Sequence, residues 1–302
     1  MLRRVVQHGP STLTVSLPTQ WTKKNGVGKG SEVEVCEGAA GLTITLPFQK
    51  QKPQRIDVDF SQLTEDAINS LLAVLHKCTY REIHITFSDK LQFDIIARRI
   101  KDMLTGYEII ERSEHSCLIQ TIVADIPEEI GKLIRRTFHV SLEMAQGTVH
   151  VLHDHDHTKI QDLLELEKTN NRLTNQSHRL INSTMPGDKG VFQYLVSWIL
   201  ESICDSYRDI LYSVSTHPDE KIPIEHIELL SDTTRLFSRY ADLFFSYSNA
   251  ELVEIRNEHK RIHQQLLCLS SNTDFQRMLS YSIYIILQCI YSALGSTIAL
   301  NY

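Results

Sequence analysis

The chain has 302 residues and six cysteines, Cys36, Cys78, Cys117, Cys204, Cys268 and Cys289, with no CxxC spacing among them. That excludes a zinc ribbon and gives no disulfide framework. Cysteines scattered in this way fit a reducing cytosol, so a cytoplasmic location is expected. Glycine is sparse where nucleotide chemistry would need it: no GxGxxG or P-loop follows any candidate strand, so no nucleotide site is expected. No nucleophile and base stand at a motif spacing, and Ser11 and Thr12 read as turn and strand formers, so no enzymatic activity is expected. Arg3 and Arg4 are not followed by an apolar stretch of the kind a signal peptide carries. Charge is missing altogether from Met278 to Tyr302, a run of 25 residues that is long enough to span a bilayer. Yet Ser280, Ser282, Gln288, Ser292, Ser296, Thr297 and Asn301 are costly in hydrocarbon and suit the back of a last bundle helix, so membrane insertion is not expected.

What the chain does have is length enough for two or three domains, and a lopsided charge. Its net charge is −6. Residues 1 to 50 hold six Lys/Arg against three Glu, or +3, which leaves 25 against 34, or −9, for the rest. A basic head on an acidic body points to an anionic partner at one end only.

In that head, Leu2 to Val6 reads as a short strand, His8-Gly9-Pro10-Ser11 as a turn, and Leu13 to Leu17 as a strand of alternating polarity that Pro18 stops. Thr19 is placed to cap a helical turn through Trp21 to Asn25, with Gly26, Gly28 and Gly30 as a glycine-rich exit. Ser31 to Cys36 and Leu42 to Leu46 alternate around Gly38 and Gly41 as a β-hairpin. So small a β unit seldom stands alone, and pairing with a second copy is the simplest remedy. The strand RRVVQHG, the phrase STLTVSLPTQW, the connector KKNGVGKGSEVEV and the closing GLTITLP resemble, in that order, the AbrB/MazE/SpoVT family of swapped-hairpin DNA-binding domains. The resemblance implies an interlaced homodimer presenting basic side chains to DNA. Arg3, Arg4, Lys23, Lys24 and Lys29 are then the DNA-binding candidates, arginine for base edges and lysine mainly for phosphates.

A polar linker, residues 51 to 54, leads into an alternating strand at Arg55 to Phe60. A helix at Thr64 to Lys77, a strand at Glu82 to Phe87, a helix at Leu91 to Leu104, and strands at Tyr107 to Glu111 and Leu118 to Val123 follow. This order predicts a small α/β domain over 51–126, serving as spacer or dimerisation unit.

From Pro127, which suits a first helical turn, apolar stripes at helical spacing predict six helices in two tandem three-helix repeats, 127–217 and 224–302. The third helix, Tyr194 to Val214, carries Glu201 and Asp205 four residues apart on one face, beside the stripe Leu195, Ile199, Ile203, Ile210 and Leu211. Buried carboxylates in that position must be protonated, paired with cations or coordinated to metal. Between the first two helices a loop is expected at His153 to His157; with His150, Asp154 and Asp156 its histidines look metal-like, but they read as loop, with Asp156 or Thr158 as the cap of the next helix, rather than as a metal shell.

The phrases LELEKTNNRL at 164–173 and WILESICDSYRDI at 198–210 resemble PhoU, the phosphate-uptake regulator whose three-helix repeats carry metal-binding acidic motifs. Head, α/β middle and bundle together resemble the archaeal PhoU-type regulators. The resemblance implies at most one metal site, at Glu167, Glu201 and Asp205 with Asp209 as a further ligand. Hard oxygen ligands of this kind would suit iron, manganese or magnesium. The second repeat has Gln288, Ser292 and Ser296 opposite Glu201, Asp205 and Asp209, and Asn171 stands where the family favours an acid. The fold class expected is multidomain α+β. The function expected is DNA-binding transcriptional regulation of phosphate uptake by a cytoplasmic homodimer. The alternative is an accessory protein that contacts a phosphate transporter, kinase or other signalling protein and uses the head only to dimerise.

Overall fold

The computed structural model describes residues 3–38, 41–45, 55–127, 129–185, 187–218 and 220–302. The start of the first strand at Leu2, the hairpin's end at Leu46 and the linker 51–54 lie outside them. The protein is mixed α+β and about 66% helical, with a small N-terminal β region and a C-terminal helical bundle. It forms two compact units, Met1–Pro53 and Gln54–Tyr302.

The first unit holds two antiparallel strand pairs and one short helix: β1 (Val5–Gln7), β2 (Leu13–Val15), α1 (Thr19–Lys24), β3 (Glu34–Gly38) and β4 (Gly41–Thr45). β1 pairs with β2, Val5 opposite Val15, and β3 pairs with β4, Val35 opposite Ile44. Thr19 does not cap α1. It is the first helical residue, Pro18 is the N-cap, and the Thr19 carbonyl accepts a hydrogen bond from Thr22 Oγ1 at 3.1 Å. Proline's fixed φ sets the backbone ahead of the helix, and among the described residues no side chain accepts from the first-turn N–H groups.

The second unit opens with β5 (Arg55–Asp59), α2 (Glu65–Lys77), β6 (Glu82–Thr86), α3 (Lys90–Met103), β7 (Tyr107–Arg112) and β8 (Ser116–Thr121). Their sheet runs β5-β6-β8-β7, with β5 and β6 parallel and the other pairs antiparallel. The parallel pair needs a crossover, which α2 supplies. Thr64 and Asp89 cap α2 and α3 by accepting from Ala67 N and Gln92 N. Phe60, Ile68, Leu72, Ile83, Ile85, Ile96 and Ile119 form this layer's own core.

Six helices follow among the described residues: α4 (Glu129–Asp154), α5 (Ile160–Thr184), α6 (Asp188–Thr216), α7 (Ile224–Phe245), α8 (Asn249–Cys268) and α9 (Asp274–Asn301). α4, α5 and α6 pack mutually, as do α7, α8 and α9, and the halves meet through α6 on α9 and α4 on α7. The loop expected from His153 to His157 is shorter than its composition predicts. α4 runs through Asp154, His155 takes a left-handed φ of 54°, and Asp156 accepts from Thr158 N at 3.2 Å to start a 3-10 turn at His157–Lys159. Helical packing of Val151 and Leu152 into the core carries α4 past the polar residues. α9 is long and apolar enough to cross a membrane, and 44% of its most apolar window is buried inside this fold.

The α/β layer is fastened to the bundle by a buried arginine. Arg179 of α5 pairs with Asp125 at 3.2 Å and donates to the carbonyls of His76 at 3.2 Å and Tyr80 at 3.3 Å and to the Tyr107 hydroxyl at 2.5 Å. Asn182 adds a bond to the Lys77 carbonyl at 2.9 Å. Two wholly buried histidines flank this junction. His76 Nε2–H donates to the Thr105 carbonyl at 3.2 Å, and His178 stacks on Tyr194 with ring centres 3.8 Å apart. Burial holds their imidazoles down at about 4 and about 3 respectively.

Both histidines are therefore neutral in the fold while the unfolded chain takes up protons below about 6.5, so their contribution is complete above that pH and is lost as pH falls toward 4. Urea midpoints should fall on acidification across that window, by roughly 1.4 kcal/mol of stability per pH unit for each histidine. A His76→Gln, His178→Gln variant should show a flatter dependence. An equally steep fall in that variant would contradict the assignment.

Candidate functional site

None of the residues of the first unit whose burial is described is buried. Its strands are too short, and its sheets too few, to cover an apolar face. Val5, Val6, Leu13 and Leu42 are each 60–70% exposed, and Val15 and Val35 about half. In a unit of this size that is a large share of uncovered β-branched and leucine surface. The five cations expected to meet DNA, Arg3, Arg4, Lys23, Lys24 and Lys29, are all exposed on the same unit. Lys23 and Lys24 close the last turn of α1, where cations complement the helix dipole.

Of the four acidic residues expected to form one site, Glu167, Asp205 and Asp209 share a single arginine and Glu201 does not. Glu167 of α5 is buried, Glu201 and Asp205 are half-buried on α6, and Asp209 is exposed one turn on. At their centre stands Arg208, a residue to which the sequence reading assigned no role. Its Nη1 donates to Asp205 Oδ1 at 2.5 Å and to Glu167 Oε1 at 3.2 Å, while Nη2 reaches Asp209 Oδ1 at 2.9 Å. Glu167 Oε1 also accepts from Asn171 Nδ2 at 2.6 Å. Glu201 lies apart from the guanidinium, accepting from Thr174 Oγ1 at 3.2 Å. Only the pairing with Asp205 was legible: Arg208 follows it by three residues, spacing that brings side chains together on a helix.

Burial pushes the Asp205 carboxyl up to about 6 against the pull of Arg208. Across a cleft of about 680 Å³ between α3 and α5, Arg99 faces the same cluster, and the Glu201 and Glu167 carboxylates offset the cost of burying its charge. A metal shared by Glu167 and Asp205 needs oxygen ligands at about 2.0–2.6 Å around one point. Nη1 of Arg208 already fills the space between those two carboxylates, so the donor set as arranged does not fit a metal ion. Among the described residues no group of three or more His, Cys, Asp or Glu is disposed as a metal site. His153, from the histidine-rich stretch, pairs with Asp154 at 2.8 Å.

The second half also centres its carboxylates on arginine. Arg239 joins Glu251 at 2.8 Å and Glu258, and Arg261 joins Asp232 at 2.9 Å and Glu258 at 3.5 Å. Gln288 and Ser292 lie on the solvent side of α9, in line with Tyr281, Tyr284 and Tyr291. No family model matches this chain, and no curated protein matches it.

Proposed function

We propose that this protein is a homodimeric, DNA-binding transcription regulator of phosphate uptake, in which the N-terminal unit of two copies grips the operator and the helical bundle reports a physiological signal. The observation that carries the reading is the uncovered apolar surface of the first unit together with its five exposed cations. A second copy would bury the valines and leucines, and the joined units would carry ten cations. The likeness of the bundle's acidic phrases to PhoU supplies the phosphate assignment, and the two three-helix halves agree with it.

Six lysine contacts to phosphate per dimer make binding strongly salt-dependent, because each contact releases a condensed counterion. Fluorescence anisotropy on promoter DNA should show affinity falling by roughly a thousandfold or more between 50 and 200 mM salt. Arg3→Ala with Arg4→Ala should abolish the preference for promoter over unrelated DNA, while Lys23→Ala with Lys24→Ala should lower the slope of log affinity on log salt by about 3 to 4, four phosphate contacts being lost per dimer. Light scattering of the full chain should give the mass of a dimer. A dimer that shows no salt-dependent DNA binding would point to the accessory protein acting by contact with a transporter or kinase. A monomer would remove the basis of both readings.

A further inference from the structure

The resemblance of the α5 and α6 phrases to a metal-binding repeat and the geometry around Arg208 disagree. A metal ion would join the acidic cluster by sitting between a carboxylate on α5 and one on α6. The Arg208 guanidinium occupies that position, held by Glu167 from one helix and by Asp205 and Asp209 from the other. Its side chain is only 30% exposed, and Asn171 orients the Glu167 oxygen that it shares. Guanidinium is always charged at physiological pH and donates through a planar fork, so it satisfies several carboxylates at once, as a metal does. We infer that Arg208 is the built-in cation of this cluster, that the first repeat therefore holds no resident metal, and that a divalent-cation site appears there only when Arg208 is removed.

The reason a site would appear is charge. Three carboxylates surround one guanidinium, and Glu201 stands one turn from Asp205 on the same helix face. With the guanidinium gone, hard oxygen donors from two helices are left around a vacated point, a set that suits manganese or magnesium. The second half likewise pairs its carboxylates with arginine, Arg239 bridging Glu251 and Glu258 and Arg261 bridging Glu258 and Asp232.

The test uses the full chain after chelator treatment, with Mn(II) alone as the probe and free Mn(II) followed by electron paramagnetic resonance. The unaltered protein should take up no stoichiometric Mn(II). Arg208→Ala and Arg208→Gln should each gain one Mn(II) per chain, bound at least about tenfold tighter than any uptake by the unaltered protein. Adding Glu167→Gln to Arg208→Gln should abolish the gain, and Mn(II) should raise the thermal midpoint of Arg208→Gln but not that of the unaltered protein. Stoichiometric uptake by the unaltered protein overturns the inference without recourse to any variant. Failure of a folded Arg208→Gln protein to gain a site overturns it equally. Neither result bears on DNA binding, which the anisotropy measurement judges separately.

Discussion

Replacing Arg179 with alanine should cost about 3–5 kcal/mol of stability in the unit spanning residues 54–302, read as a lowered denaturant midpoint. The side chain is 5% exposed, so its charge has left water and depends on what surrounds it. Asp125 supplies the opposite charge, the carbonyls of His76 and Tyr80 and the Tyr107 hydroxyl accept its protons, and the Tyr107 ring lies 4.9 Å from the guanidinium. Truncation leaves Asp125 and the Tyr107 hydroxyl without their cation, while the His76 and Tyr80 carbonyls keep Thr79 N and the Tyr107 hydroxyl as donors. Because the acceptors belong to the α/β layer and its link to the bundle while Arg179 belongs to α5, the loss is one of docking as well as stability. Arg179→Lys should recover less than half, since a single ammonium cannot reach acceptors spread around a planar fork. Replacing Arg179 and Asp125 together by neutral isosteres should cost less than Arg179→Ala alone, because no unpaired charge is then left. A loss below about 1 kcal/mol for the alanine variant would show that water or a neighbour takes over those acceptors.

The other large effect is expected at Phe138, where alanine should cost about 3–5 kcal/mol. Phe138 is fully enclosed on α4, and every ring it meets lies on α7: Tyr240, Phe244, Phe245 and Phe237, with centres 5.0 to 6.5 Å away. It is thus the apolar bolt between the two three-helix halves, and its removal leaves a cavity that helices fixed at both ends cannot close. Trp198 is the control. It is as large, yet 54% exposed on α6, and its replacement by alanine should stay within about 0.5 kcal/mol. Matching losses at the two positions would mean that Trp198 is covered in solution, which calorimetry at several protein concentrations would reveal as a concentration-dependent midpoint.

Much of the secondary structure was legible because its causes are local. Thr64, Asp89 and the 3.6-residue stripes of α4 to α9 announce helices within a few residues of where they lie, and the short alternating runs at 55–60 and 82–87 announce strands. The misjudged places are those where packing overrode composition. His153 and Asp154 read as loop, but apolar neighbours at 151 and 152 keep them helical. Thr19 reads as a cap, but Pro18 already sets the backbone.

By itself the amino-acid sequence determined where the chain is basic and where acidic, which stretches form helix or strand, and that its first fifty residues are too few to bury a core, because charge, periodicity and length are properties of neighbours along the chain. Only the tertiary structure decided that Arg208 answers the bundle's carboxylates and that Arg179 joins two layers. Arg208 reaches Glu167 across 41 residues and Arg179 reaches its partners across 54 to 103, separations across which no sequence pattern states a distance.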